Sequence, residues 1–212
     1  YNKKRNFRQT AEPSGKKETV AKSRFVVQRH NASHLHYDFR LELGGVLKSW
    51  AVPKGPSMNP SQKRWAVMVE DHPVSYIGFK GTIPKGNYGA GTVEIWDNGK
   101  FEPFNKDHEA LTEKQALEAL NKGELKFILK GKRLKGEFVL VRIKDDDKNW
   151  LLIKHKDEYS TNTIYNAEEQ TDKAVPEKTI ASIRHGKAKK LKTFIQPMLA
   201  GIAKSPFDDK DW

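Results

Sequence analysis

The sequence predicts a mainly β protein, a barrel or a sandwich with one inserted α-helix and extended N- and C-terminal segments. Three observations carry the prediction. Short runs rich in β-branched and aromatic residues recur between turn signals, one run alternates strictly between apolar and polar side chains, and one segment has helical spacing.

Residues 1–23 are dominated by Lys, Arg, Gln, Thr and Glu around Pro13-Ser14-Gly15, and read as a basic arm. Strand-type runs follow at 25–28, 34–43, 46–52, 65–70, 92–96, 125–129, 137–143 and 150–155, a count that fits a barrel or sandwich at 24–156. Gly44-Gly45, Asp97-Asn98-Gly99 and segment 145–149 supply hairpin connections. Thr112 with Gln115 forms a capping signal, Leu111, Leu117 and Leu120 give an apolar stripe, and Gly123 stops the helix. Residues 157–192 lose strand periodicity and end in the charge run 187–192, a linker, and 193–212 regain apolar residues without enough chain for a domain.

The 212 residues carry 39 Lys and Arg against 27 Asp and Glu, a net charge of +12 that suits a polyanionic partner. Hydrophobic residues are 36% of the chain and mean hydropathy is −0.78, enough for one core with solvated tails. No long apolar run occurs, and Tyr1-Asn2-Lys3-Lys4-Arg5 has no apolar stretch of a secretory signal, so the expectation is a cytoplasmic protein with no membrane span. With no cysteine, disulfides, cysteine-ligated zinc and thiol nucleophiles are excluded. The first residue is not Met, which suggests a piece of a longer or processed chain.

In the run His34 to Leu43, side chains two apart share a face. One face is Leu35, Tyr37, Phe39, Leu41 and Leu43; the other is His34, His36, Asp38, Arg40 and Glu42. His36 and Asp38 reach a common point above the pleat, and a third ligand from His30 or His72 completes a His-His-carboxylate set with open positions for water or substrate. His34 is left as an outlying or surface group. Non-haem iron oxygenases use the same donors, but Arg40, Lys48, Lys54, Lys63 and Arg64 beside these strands suit phosphate oxygens better. A catalytically idle DNA-docking module explains the charge equally well, but not why His36, Asp38 and Arg40 share one face.

Gly81-Thr82-Ile83-Pro84-Lys85-Gly86 is followed by Asn87 where a Walker-type loop has Lys, which argues against a nucleoside-triphosphate loop. Gly86, Gly89 and Gly91 instead permit a sharp bend, with Tyr88 packing or stacking. Trp50, Trp65, Trp96 and Trp150 read as core or barrel-end residues rather than base-stacking platforms.

Four ordered blocks, from Gln28 through Glu42, Lys48 to Gly55, Val69 to Pro73 and Ile83 to Gly89, closely resemble the 3′-phosphoesterase domain of bacterial DNA ligase D. The likeness covers roughly residues 1–156. It implies a compact antiparallel β-barrel with one flanking α-helix, and a manganese-dependent hydrolase of double-strand break repair that removes a 3′-terminal ribonucleoside and then the 3′-phosphate, leaving a 3′-hydroxyl. By the same likeness His30, His36 and Asp38 hold the metal, Arg40 and His72 engage the scissile phosphate, and Gln28, Lys54, Arg64 and Tyr76 match further active-site positions. The substrate implied is a DNA primer-template; the implied partners are ligase and polymerase domains of the parent protein and bacterial Ku. Arg5, Phe7 and Glu12 match an arm that folds over the site, with Asn6 where Asp is usual. Residues 196–200 and 206–212 are similar to the start of the adjoining ATP-dependent ligase domain, although no Lys-x-Asp-Gly motif is present.

Overall fold

Alternation along the strands decides which side of the sheet becomes core, and the computed structural model, which describes residues 1–5, 10–14, 22–144 and 146–170, shows how the chain closes around it. Expectations on Asn6, Phe7 and residues 171–212 lie outside the described residues. Nine strands are described: β1 (Arg24–Asn31), β2 (Leu35–Leu43), β3 (Val46–Val52), β4 (Arg64–His72), β5 (Gly81–Ile83), β6 (Gly91–Phe104), β7 (Glu124–Gly131), β8 (Lys135–Arg142) and β9 (Asn149–Lys154). Neighbours run β1-β2-β3-β4-β9-β8-β7-β6, all antiparallel, and β6 returns to β1. Eight strands therefore close a barrel, while β5 adds to β6 outside the ring. Among the described residues no helix is long and apolar enough to cross a membrane.

Tyr37, Phe39, Leu41 and Leu43 point inward to meet Trp50, Phe127, Phe138 and Trp150 in one buried cluster. Phe127 lies at its centre, 5.9 Å from the Phe39 ring and 6.4 Å from Phe138, with Phe101 edge-on at 6.3 Å. Phe127→Ala is expected to cost roughly 3–5 kcal/mol, since the cavity joins the lost burial. Urea unfolding of the two proteins at one temperature measures it.

The single α-helix among the described residues, α1 (Glu113–Lys122), is framed as its sequence requires. Thr112 N–H donates to Gln115 Oε1 at 2.9 Å, Gln115 N–H returns a bond to Thr112 Oγ1, and Gly123 ends the helix at φ 97°. Ala116 and Leu120 turn toward the core.

Three expectations need correction. Asp97-Asn98-Gly99 is no hairpin turn but lies inside the 14-residue β6, opposite β1. The Asp97 carboxylate accepts N–H bonds from Lys132, Arg133 and Leu134 in the β7–β8 turn, so a residue of turn character serves a distant turn. Trp50, Trp96 and Trp150 are buried, but Trp65 is 42% exposed because it stands on the outer face of β4. Finally, packing does not stop at Lys156. Ala167 enters the core, Tyr165 accepts an Arg64 N–H at 2.6 Å, and the Glu168 carboxylate takes both the Arg29 guanidinium and the Tyr37 hydroxyl.

A second apolar cluster lies outside the ring. Leu47 of β3, Tyr76, Phe79, Ile83 and Val93 bury one another where the segment after β4 folds back across the outer face of the sheet. That fold-back makes one wall of the cavity described next.

Candidate active site

Register brings the polar residues of β1 and β2 together on the outer face. β1 and β2 pair His30 with His36 and Gln28 with Asp38, and β2 and β3 pair Asp38 with Ala51 and Arg40 with Ser49. The Gly44-Gly45 loop forces the β2–β3 pairs, because it sets Leu43 opposite Val46 and every later pair follows. β4 contributes through a bulge: Ser49 faces Val69, but Leu47 faces His72, so β4 spends one extra residue and carries His72 onto the outer face. The result is a cavity of about 260 Å³ whose lining includes Arg5, His30, His36, Asp38, Arg40, Glu70, His72, Tyr76 and Tyr88.

Hydrogen bonds fix what each imidazole offers. A carbonyl only accepts, so His30 donates Nε2–H to Gly89 O at 3.0 Å and His36 donates Nδ1–H to His34 O at 3.0 Å. Their other nitrogens, His30 Nδ1 and His36 Nε2, face the Asp38 carboxylate at 3.5 and 3.7 Å. One donor atom from each residue lies within 4.8 Å of the others. Two imidazoles, each oriented by a backbone carbonyl and aiming its other nitrogen with a carboxylate at one point, fit a divalent metal ion. Burial would raise the Asp38 carboxyl, but Arg40, His30 and His36 hold it well below the usual carboxylate range, so it is ionised and ready to ligate.

Arg40 is 2% exposed and its geometry is over-determined. Nε donates to Gln28 Oε1 at 2.7 Å, Nη1 to Ser49 Oγ at 2.9 Å and Nη2 to Asp38 Oδ2 at 2.9 Å. Gln28 gives its own N–H groups to Tyr76 O and Phe79 O, and Ser49 gives its hydroxyl proton to Leu47 O, so both must present oxygen to the guanidinium. Two of the five guanidinium N–H bonds are left for a ligand. The Tyr76 ring packs 5.1 Å from Arg40 and 5.0 Å from the His72 ring, and burial keeps its hydroxyl protonated.

The N-terminal arm completes the cavity. Arg5 donates Nη1–H to Glu70 Oε1 at 2.7 Å and Nε–H to Glu12 at 3.3 Å, and Nη2 meets His72 Nε2 at 3.3 Å. Its guanidinium also lies over the rings of Tyr1 and Tyr88. His72 gives Nδ1–H to Glu70 O, so Nε2 is an acceptor for Arg5. Burial, with Arg40 and Arg5 close by, pushes its pKa down to about 2. Against an ordinary imidazole value near 6.5, this ring is therefore neutral.

Burial raises the Glu70 carboxyl, but Arg5 and its neighbours bring it down to about 2 from an ordinary 4.5. A folded pKa below the unfolded one means that the unfolded chain binds the proton more tightly. The resulting stability is present above about pH 4.5 and is lost as pH falls toward 2. Thermal melts at pH 6 and pH 3 are expected to show a smaller drop for Glu70→Gln than for the parent chain.

The structure does not bring every expected residue to this cavity. Gln28 sits beneath it, behind Arg40. Lys54 and Arg64 line a separate cavity at the barrel end with Leu35, Gln62 and Tyr165, and Arg64 Nε is buried there without a hydrogen-bond partner. Lys48 pairs with Asp71 at 2.7 Å, and His34 and Lys63 are exposed. Two residues that shape the site were not singled out from sequence. Ser49 was accessible by counting register from the Gly44-Gly45 turn, whereas Glu70 gave no signal beyond standing two residues before His72.

The family model for the DNA ligase D 3′-phosphoesterase domain matches residues 28–142. The chain is 46% identical over 195 residues to the multifunctional non-homologous end joining protein LigD of Pseudomonas aeruginosa, covering 89% of this chain and 22% of that protein. It is 41% identical over 166 residues to the LigD protein of Mycolicibacterium smegmatis, covering 74% of this chain and 20% of the relative. To the LigD DNA repair protein of Mycobacterium tuberculosis it is 41% identical over 155 residues, 71% of this chain and 19% of the relative. The chain thus spans about a fifth of the length of these relatives.

Proposed function

Because the chain belongs to the DNA ligase D 3′-phosphoesterase family, we propose that it hydrolyses phosphate esters at DNA 3′ ends during non-homologous end joining. The observation that carries this reading is one cavity holding both the oriented His30, His36 and Asp38 donors and the clamped Arg40. A metal ion, for which we propose Mn²⁺, polarises a phosphate oxygen and lowers the pKa of a water when bound.

His30, His36 and Asp38 hold that ion. Arg40 directs its two remaining N–H bonds at the phosphate and offsets the charge that grows on the oxygens as water attacks phosphorus. In the diester step the bond from phosphorus to the 5′-oxygen of a terminal ribonucleoside breaks, leaving a 3′-phosphate. In the monoester step the bond to the 3′-oxygen breaks, leaving a 3′-hydroxyl and inorganic phosphate. His72 engages the phosphate only on taking up a proton at Nε2, which the anion favours and Arg5 and Arg40 oppose. Arg5 supplies a second cation and Tyr76 a protonated hydroxyl at the wall. Lys54 and Arg64, with a buried guanidinium N–H unmatched, take a phosphate of the same strand at the barrel end.

The wider setting follows the same reading: a cytoplasmic, nucleoid-associated activity on primer-templates, within a parent protein that carries ligase and polymerase domains and works with Ku. Residues 24–170 form the phosphoesterase body, and 193–212 begin the ligase domain.

The test is a 5′-labelled primer-template ending in one ribonucleotide, incubated with the chain with and without Mn²⁺. The expected products are a shortened 3′-phosphate and then a 3′-hydroxyl strand, absent with His36→Ala. Binding without product under every metal would replace the enzyme with a docking module.

A further inference from the structure

We infer that Trp65 is a stacking platform for an unpaired base of the strand whose phosphate lies over His30, His36 and Asp38, an inference that rests on the phosphoesterase reading. Trp65 shares the outer face with the site. Asp38 pairs with Ala51 and Ala51 with Val67, and Trp65 is the next outward residue along β4. Two strand spacings, about 10 Å, separate its row from that of the metal-site residues on β2. That is a reach of roughly one to three nucleotides of single strand.

The ring is exposed yet held. Among the described tryptophans the others are at most 7% exposed, whereas Trp65 is 42% exposed. Its indole N–H donates to Asn149 Oδ1 at 2.7 Å, and Asn149 is itself fixed, giving its backbone N–H to Asp146 Oδ1 at 2.9 Å and its side-chain amide to Asp146 Oδ2. Ordering the ring on binding therefore costs little, which is what a base platform requires. Exposed Lys63 stands two residues before Trp65 and exposed Lys148 next to Asn149, while Arg64, immediately before Trp65, lines the second cavity and holds the unmatched guanidinium N–H. Because Arg64 and Trp65 are adjacent in β4, a strand that reaches from the metal-site residues to Lys54 and Arg64 ends beside this indole. A base one to three nucleotides inside a duplex is stacked on both faces and has none to offer it, so the platform selects frayed or single-stranded 3′ ends.

The experiment measures binding of the whole chain in EDTA, by fluorescence anisotropy, to 5′-labelled single strands that carry one abasic site at each of the last five positions. Trp65→Ala is expected to weaken the intact strand roughly 5- to 100-fold, and Trp65→Phe by no more than about 3-fold. At one position the abasic site should weaken wild-type binding by a similar factor and leave Trp65→Ala unaffected. A G·C-clamped blunt duplex should show a smaller effect of Trp65→Ala. Equal affinities of wild type and Trp65→Ala, or additive losses at every position, would overturn the platform. The wild-type abasic scan combined with Trp65→Phe gives the answer even if the alanine variant folds poorly. Product formation in Mn²⁺ is scored separately: coupling without product leaves the platform and removes the phosphoesterase, while product without coupling does the reverse.

Discussion

Asp38→Asn is expected to abolish metal-dependent turnover, by at least about 10³-fold, because it removes the one anionic donor of the set while leaving its shape. The change also strands Arg40. The Asp38 carboxylate is the buried countercharge 2.9 Å from Nη2, and removal of one partner of a buried pair costs roughly 3–5 kcal/mol. Two readouts separate these effects. Mn²⁺ should raise the melting temperature of the parent chain, as any ligand of the folded state does, and leave that of Asp38→Asn unmoved. A variant that still gains stability from Mn²⁺ would place the metal elsewhere.

Arg40→Lys is expected to lower turnover by about 10²- to 10³-fold even though it preserves charge. An ammonium cannot satisfy Gln28 Oε1, Ser49 Oγ and Asp38 Oδ2 in the guanidinium plane and still present two parallel N–H bonds to a phosphate. Gln28→Leu acts through the same side chain. It touches no substrate, but it removes the oxygen that holds Arg40 Nε, and a loss of roughly 10- to 100-fold follows from one buried hydrogen bond to a charged group. Steady-state kinetics should place both losses in kcat more than in KM. Full activity of Arg40→Lys would mean that charge alone suffices there.

Much of this chemistry is legible in a ten-residue run because a strand has period two. Tyr37, Phe39 and Leu41 inward and His36, Asp38 and Arg40 outward require no tertiary knowledge. The helix was legible for the same reason, since Thr112, Gln115 and Gly123 act within a few residues. What escaped was non-local. Asp97 looks like a turn former and is one, but for residues 132–134. The Arg5, Glu12, Glu70 and His72 network joins segments with no mutual periodicity. Arg64 parts from Arg40 because it shares the inner face of β4 with Ala66 and pairs with core residue Leu152, so with Lys54 it lines the barrel end while Arg40 faces the outer cavity.

The extra residue in β4 between Val69 and His72 behaves like a reading frame. Substitution at Glu70 or Asp71 alters a side chain and leaves the frame intact. At this length the bulge keeps His72 outward, since plain alternation from Val69 would set Asp71 opposite Leu47 and turn His72 into the barrel wall. Deleting Glu70 or Asp71 removes the bulge and leaves His72 two residues from Val69, still outward and opposite Leu47. Bulge and length compensate here: a chain one residue shorter and without the bulge keeps its histidine on the cavity side, and loses instead the carboxylate that pairs with Arg5 or with Lys48.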